Sequence, residues 1–322
     1  MFTMDFDITI GKYRLTMLDE ATVKRSVENL ADTATITLPG AVYNKALEIE
    51  DKIREGDPVK IRFGYNREDK ELPVEFEGYV ENIATDDGSI KINCEDEIYN
   101  FRKDIKDTVL KNVTIKALLE HVCRELGGFE LSCDYDFKYD TFTIYNATGF
   151  DVLKKVQEET RANIYLKGKT LHIHPQYSEI GKKVVYDFYV NIEKSDLKYK
   201  DATKRKFLVT IEGTDAQGKT VKVVKGTPGG DKFTLKIPGV SDVKTLEKRA
   251  EEELKIKSYS GYEGSITGWL IPGVEPTDMV EIRDRDYEFK NGAYYVISVE
   301  STFSESGGSR KITIGKKIET NE

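Results

Sequence analysis

The sequence predicts a mainly β fold with α+β content: two related small β-barrels in one chain, joined by a compact α+β module, with a helical insertion in the second barrel. Three observations predict it. First, one strand pattern occurs twice. It reads Gly56-Asp57-Pro58-Val59-Lys60-Ile61-Arg62, Gly78-Tyr79-Val80-Glu81-Asn82-Ile83 and Asp87-Gly88-Ser89-Ile90-Lys91-Ile92-Asn93 near the start. Near the end it reads Thr277-Asp278-Met279-Val280-Glu281-Ile282-Arg283, Gly292-Ala293-Tyr294-Tyr295-Val296-Ile297-Ser298-Val299 and Gly307-Gly308-Ser309-Arg310-Lys311-Ile312-Thr313-Ile314. Second, the copies agree in order and nearly in length, with 33 residues from Asp57 to Ile90 and 34 from Asp278 to Ile312. Third, the hydrophobic period between them changes from that of strands to that of helices and back. The expected domains are a first barrel over 1–105, an α+β module over 106–178 and a second barrel over 179–322, with its helical insertion at about 241–258.

In the first barrel, Phe6, Ile8 and Ile10 alternate with polar neighbours, as do Ala34, Ile36 and Leu38, which is the pattern of half-buried strands. Pro39-Gly40 ends the second of these. Val42, Ala46, Ile49 and Ile53 then fall on one helical stripe, giving a helix over 41–54 ahead of the first repeat. Closely spaced short strands around one helix make a small barrel. In the module, Val113, Ala117, Leu118, His121 and Val122 trace a helix ending at Gly127-Gly128, and Val152, Leu153, Val156 and Thr160 trace another capped by Thr148 or Asp151. Short strands at Phe129–Cys133, Thr141–Tyr145, Asn163–Leu166 and Thr170–His174 surround them, with Lys167-Gly168-Lys169 as a hairpin turn.

From residue 179 the chain returns to β structure. A hairpin pairs Phe207–Gly213 with Lys219–Lys225, and Phe233–Ile237 makes a further strand. Val243, Leu246, Ala250 and Leu254 then trace a helix, which stands before the second repeat as 41–54 stands before the first. A chain holding one β unit twice is suited to assembly, because n chains then present 2n similar units around an axis.

Composition excludes several classes of function. The chain has 322 residues, 39% hydrophobic and 33% charged, enough for packed cores under a well-solvated surface. With 49 basic and 57 acidic residues, net −8, it has no electrostatic means of gripping a nucleic-acid backbone. No apolar run approaches the roughly 20 residues of a membrane span, and Met1–Ile10 lacks the features of a signal peptide, so a soluble protein made in a cytoplasm is expected. Cys94, Cys123 and Cys133 show neither a disulfide framework nor zinc-ligand spacing and read as small core or strand residues.

Candidate chemistry is sparse. His172 and His174 share a strand face and could hold a metal, but the third ligand is missing, since His121 belongs to a helix in a separate segment; the reading is a solvated strand face. The loop Gly226-Thr227-Pro228-Gly229-Gly230 resembles a phosphate cradle only in its glycines and reads as a β-connection. The run Glu251-Glu252-Glu253 reads as the wet face of a helix. Tyr259, Tyr262, Trp269, Tyr287, Tyr294 and Tyr295 concentrate in the second repeat, where a subunit interface is favoured over a small-molecule platform and an aromatic barrel core is the plainer alternative. No catalytic, cofactor-binding or metal-ligating residue is nominated.

The run Arg25-Ser26-Val27-Glu28-Asn29-Leu30-Ala31-Asp32-Thr33-Ala34-Thr35-Ile36-Thr37-Leu38-Pro39, the Gly56–Ile61 and Phe76–Val80 strands, and Tyr259-Ser260-Gly261-Tyr262-Glu263-Gly264 through Gly268 to the end resemble the baseplate hub proteins of contractile phage tails. These are the late control D proteins, similar also to the front half of the VgrG spike proteins of type VI secretion. The resemblance implies two tail-tube-like barrels per chain and a homotrimer, a pseudo-sixfold adaptor between the sixfold tail tube and the threefold spike. The partners it implies are the chain itself, the tail tube or a tube-initiator protein, a separate spike protein, since this chain ends just after the second barrel, and a tape-measure protein as a further candidate. It implies neither enzymatic activity nor a cofactor, neither membrane nor specific nucleic-acid binding. The location implied is a virion tail baseplate or injection particle assembled in the bacterial cytoplasm. The helices at 41–54 and 243–256 are candidates for lying near the subunit seams, with a barrel-plugging role as the equal alternative. The acidic balance implies a negative or neutral channel wall. The competing readings are a tail-associated cell-wall hydrolase, which lacks a catalytic constellation, and a carbohydrate-binding barrel protein, which would show an exposed aromatic groove.

Overall fold

The computed structural model describes residues 3–39, 52–65, 71–86, 89–215 and 217–318. The fold is mainly β, and it divides into two compact units: Met1–Tyr99, Ile180–Leu197 and Gly264–Glu322 make one, and Asn100–Glu179 with Lys198–Glu263 the other.

The first unit begins with β1 (Met4–Ile10), β2 (Tyr13–Arg14), β3 (Glu20–Ser26), β4 (Thr33–Pro39), β5 (Pro58–Tyr65), β6 (Val74–Asp86) and β7 (Ser89–Glu95). Alternate residues point inward, so Ile8, Ile10, Val23, Ile36, Val59, Ile61, Phe63, Val80 and Ile92 meet in one core. The helix expected over 41–54 lies outside the described residues, apart from its last positions, where Ile53 joins this core.

The second unit opens with β8 (Thr108–Thr114), α1 (Ile115–Leu126), β9 (Glu130–Cys133), β10 (Lys138–Ile144), α2 (Gly149–Thr160), β11 (Asn163–Lys167) and β12 (Thr170–His174). Thr114 caps α1 by accepting from the Ala117 amide, and Gly127, at φ +74°, ends it. At α2, Thr148 and Asp151 form a reciprocal capping box. β8 pairs with β10, and β11, β12 and β9 form a three-stranded sheet.

The chain then returns to the first sheet with β13 (Lys183–Asp187) and β14 (Ile192–Lys200). It leaves again for β15 (Phe207–Thr214), β16 (Thr220–Gly226), β17 (Asp231–Pro238) and α3 (Val243–Lys257). It ends in β18 (Gly261–Gly268), β19 (Met279–Arg283), β20 (Gly292–Ser304) and β21 (Gly307–Ile318). β16, β15 and β17 are a separate sheet with α3 packed on it, and Leu246, Arg249, Ala250 and Glu253 are the buried residues of that helix.

The duplication is visible in strand order. The first half runs β3-β4-β7-β6-β5-β1 and the second β14-β18-β21-β20, followed by β19 and β13. Six strands thus recur in the same sequence of neighbours. One pairing departs: β1 is antiparallel to β5, whereas β13 is parallel to β19.

The two copies are joined in one 13-stranded sheet, because β20 is long enough to serve two partners, pairing with β19 over Gly292–Tyr295 and with β3 over Ser298–Ser304. Two expectations are revised. The segment inserted into the second copy is not a helix alone: Lys198–Glu263, with three strands as well as α3, groups with the α+β module. α3 also does not match the helix expected over 41–54, since that stretch lies between β4 and β5, whereas α3 precedes β18, the counterpart of β4.

Candidate assembly surface

The two copies share a turn bond by bond. Before β5 the Asp57 carboxylate accepts from the Arg54 amide at 2.8 Å, and before β19 the Asp278 carboxylate accepts from the Glu275 amide at 2.9 Å. The Gly56 amide donates to the Val80 carbonyl and the Thr277 amide to the Val296 carbonyl, both at 2.9 Å. Return bonds from Val80 N–H to the Asp57 carbonyl and from Val296 N–H to the Asp278 carbonyl are also 2.9 Å. Gly56 has φ +84° and Thr277 φ +74°, so a β-branched residue occupies a left-handed position that glycine fills in the first copy. The sequence difference at this turn therefore leaves its conformation unchanged.

β20 and β3 join the copies. On the outer side of this seam Lys24 Nζ lies 3.5 Å from Glu300, and the Thr22 and Thr302 hydroxyls are 3.3 Å apart. Phe303 stacks on Phe63 with centroids 5.5 Å apart, so the far end of β20 covers the core of the first copy. A buried charge network runs across the copies. Arg310 donates to Glu75 at 2.5 Å, to the Ser301 hydroxyl at 3.0 Å and to the Leu270 carbonyl at 2.7 Å. Glu75 also accepts from Arg25 at 3.2 Å, and Arg25 donates to both Glu275 oxygens. With Arg310 2% and Glu75 5% exposed, each charge depends on the other, since an unpaired buried ion is costly.

Among the described strand edges that have a neighbour on one side only, two belong to the counterparts of β3 and β20. β14 terminates the sheet, and most of its residues are exposed. β6 pairs with β5 only as far as Tyr79, so Glu81–Asp86 are bonded to β7 on one side alone. In the other copy the corresponding stretch of β20 is covered by β3.

The residues singled out in the sequence divide between core and surface. His174 is fully buried and donates from Nδ1 to the Pro175 carbonyl at 2.8 Å, which contradicts the expected solvated face. His172, half-buried and held below its ordinary pKa by that burial, stacks on Tyr165 at 5.2 Å. No group of three ligand-type side chains able to hold a metal occurs among the described residues. Cys94 and Cys123 are buried, and loss of hydration pushes their thiols up to about 12 and about 11. Gly226–Gly230 connects β16 to β17 and opens no helix. Glu251 is exposed but Glu253 is buried against Arg249 at 2.6 Å, so only part of that acidic run is a wet face. Among the aromatics, Tyr294 and Tyr295 are core residues, Tyr259 and Tyr262 are half-buried, and Trp269 and Tyr287 are about half exposed at 46% and 53%. Sequence reasoning missed Arg25, Glu75, Arg249 and Arg310, which carry no local pattern that separates a buried ion from a solvated one.

One cleft of about 600 Å³ is lined by Lys183, Asp187, Glu281, Arg283, Asp284 and Arg285, among others. Within it Lys183 and Arg283 bond Glu281, and Lys290, outside the lining, bonds Asp284 at 2.9 Å.

No family model and no curated protein matches the sequence. Solved structures do. A tail protein from Neisseria meningitidis is similar at TM-score 0.69 and 13% identity over 97% of this chain and 96% of that one. The 43 kDa tail protein of prophage MuSo2 from Shewanella oneidensis is similar at TM-score 0.68 and 15% identity, covering 98% of both chains. The E. coli c3393 protein, described as a type VI secretion component structurally similar to the T4 tail proteins gp27 and gp5, is similar at TM-score 0.58 and 9% identity over 97% of this chain and 79% of that one. The resemblance read from the sequence and the likeness of the whole fold agree, and the chain has the fold of phage tail proteins and their type VI secretion relatives.

Proposed function

We propose that this chain is the structural hub of a contractile phage tail or related injection machine, a homotrimer whose pseudo-sixfold ring joins the sixfold tail tube to the threefold central spike. The observation that carries the reading is the recurrence of one six-strand order twice in a single sheet, because three chains with two such units match a sixfold tube at one face and a threefold spike at the other. The likeness to tail proteins along nearly the whole chain supports it. The partners on this reading are two further copies, the tube or its initiator, a separate spike protein and a tape-measure protein, in a baseplate assembled in the bacterial cytoplasm. No helix among the described residues is long and apolar enough to cross a membrane.

The role is mechanical rather than enzymatic. The pairing of Glu281 with Lys183 and Arg283 inside the cleft supports this, as does the aromatic pair Tyr294 and Tyr295 serving as core. With a net charge of −8 the ring presents a negative or neutral channel wall, past which DNA or a protein cargo slides without adhering. Cryo-EM of particles from cells that make the protein tests the assignment: the chain is expected between tube and spike, and density in the sheath or a tail fibre would overturn it. Purified protein is expected to leave peptidoglycan intact, and lysis abolished by changing one carboxylate would show an enzyme instead.

A further inference from the structure

The structure contains one instance of a contact that its own repeat leaves incomplete elsewhere. β3 covers the far half of β20; their counterparts, β14 and the far half of β6, each end on an open edge. We propose that these two open edges pair with each other between chains, β14 of one copy lying antiparallel on Glu81–Asp86 of the next. The inference rests on the ring reading and deepens it by naming the seam.

The repeat fixes the register. Each long hairpin skips one residue on its first strand: Asn82 pairs Asn93 and Val80 pairs Cys94, just as Ser298 pairs Thr313 and Val296 pairs Ile314. Aligning the skips places Asn82 on Ser298 and Ala84 on Glu300. On the other strand, Ala34 and Gly264 correspond, since they pair Cys94 and Ile314. Ala34 faces Val23. A Cβ on Gly264 would stand 2.0 Å from the Asp196 carbonyl oxygen and 3.4 Å from Leu197 Cα, which sets Leu197 in the place of Val23 and Lys198 in that of Lys24. Glu300 opposes Lys24 within the chain, so Ala84 opposes Lys198 between chains.

Burial and charge agree with the pairing. Leu197 is the apolar, half-buried residue in the middle of an otherwise exposed stretch, as expected of the counterpart of buried Val23. The open stretch of β6 carries Glu81 and no cation, whereas β14 carries Lys194, Lys198 and Lys200 against Glu193 and Asp196. Two β6 edges repel, while β6 against β14 is attractive, which favours a head-to-tail contact over a twofold one. Long open edges invite pairing, and a ring that closes removes both at once.

The test is disulfide trapping with Ala84→Cys and Lys198→Cys, both at exposed outward positions. The double variant, oxidised in purified form and in particles isolated from cells, is expected to run as a covalent trimer that reduction returns to monomer. The two single variants, mixed, give only dimers, and a pair shifted by one residue, Thr85→Cys with Lys198→Cys, traps at least tenfold less. Native mass spectrometry of the unmodified protein separates the two claims. A trimer that forms without trapping at this pair, or an Ala84→Cys single variant that crosslinks to itself, overturns the seam and leaves the ring. A chain that is monomeric in solution and not trimeric in particles overturns both.

Discussion

Thr277 holds a left-handed conformation that costs a β-branched residue about 1–2 kcal/mol. Thr277→Gly relieves that strain and returns roughly 0.5–1 kcal/mol to the unfolded chain, so urea unfolding is expected to show unchanged or slightly raised stability. The reciprocal change, Gly56→Thr, is expected to destabilise by about 1–2 kcal/mol. Arg310→Met leaves the buried Glu75 carboxylate with Arg25 alone and is expected to cost about 3 kcal/mol, with Arg310→Met and Glu75→Met together costing less than the first alone. Glu159 is buried, and loss of hydration raises its carboxyl to about 7 although the Tyr139 hydroxyl donates to it at 2.8 Å. The unfolded chain ionises this group near its ordinary value of 4.5, so stability is lost as pH rises from there to about 7. Glu159→Gln is expected to flatten that slope, measured as unfolding free energy between pH 4.5 and 8, and to leave the variant more stable than the parent at the alkaline end. The matching places of Asp57 and Asp278 in the repeat were legible in the sequence, but Thr277 in place of Gly56 left open whether the two turns coincide, which their shared bonds settle. Glu75, Arg25 and Arg310 were not legible, since they are drawn together from three distant strands.

Among elements, α1 and α2 were legible to within a residue or two, because Thr114, Thr148 and the Gly127-Gly128 stop are local signals acting on strong apolar stripes. The strands of both repeats were equally plain. β15, β16 and β17 were also recognised as strands, but their sheet was assigned to the wrong unit, since alternation states that a residue is half-buried and not which sheet buries it. In α3 the stripe was read one step off: Val243 is 49% exposed, while Arg249 and Glu253 are buried as a pair. Hydrogen exchange probes the open edges at this scale. In the monomer the outward amides of β14 and of Glu81–Asp86 are expected to exchange much faster than those of β20 and β3, and both segments should slow together when chains associate. Slowing of one without the other would contradict their pairing.

At the scale of the molecule, duplication was the part most legible in the sequence, and the fusion of the copies into one sheet the least. That fusion depends on β20 reaching past β19 to β3, a matter of strand length and partner rather than of composition. On the proposed ring it also accounts for the use of a duplicated chain: one seam is made within the subunit, and the other would be left for its neighbour. The most direct measurement of this account is the copy number and symmetry of the chain in cryo-EM density of assembled particles. The account predicts three chains whose six-strand units follow one another at about 60° around the axis, with alternate seams within and between chains. Six chains, or three chains whose units are not successive around one ring, would contradict it.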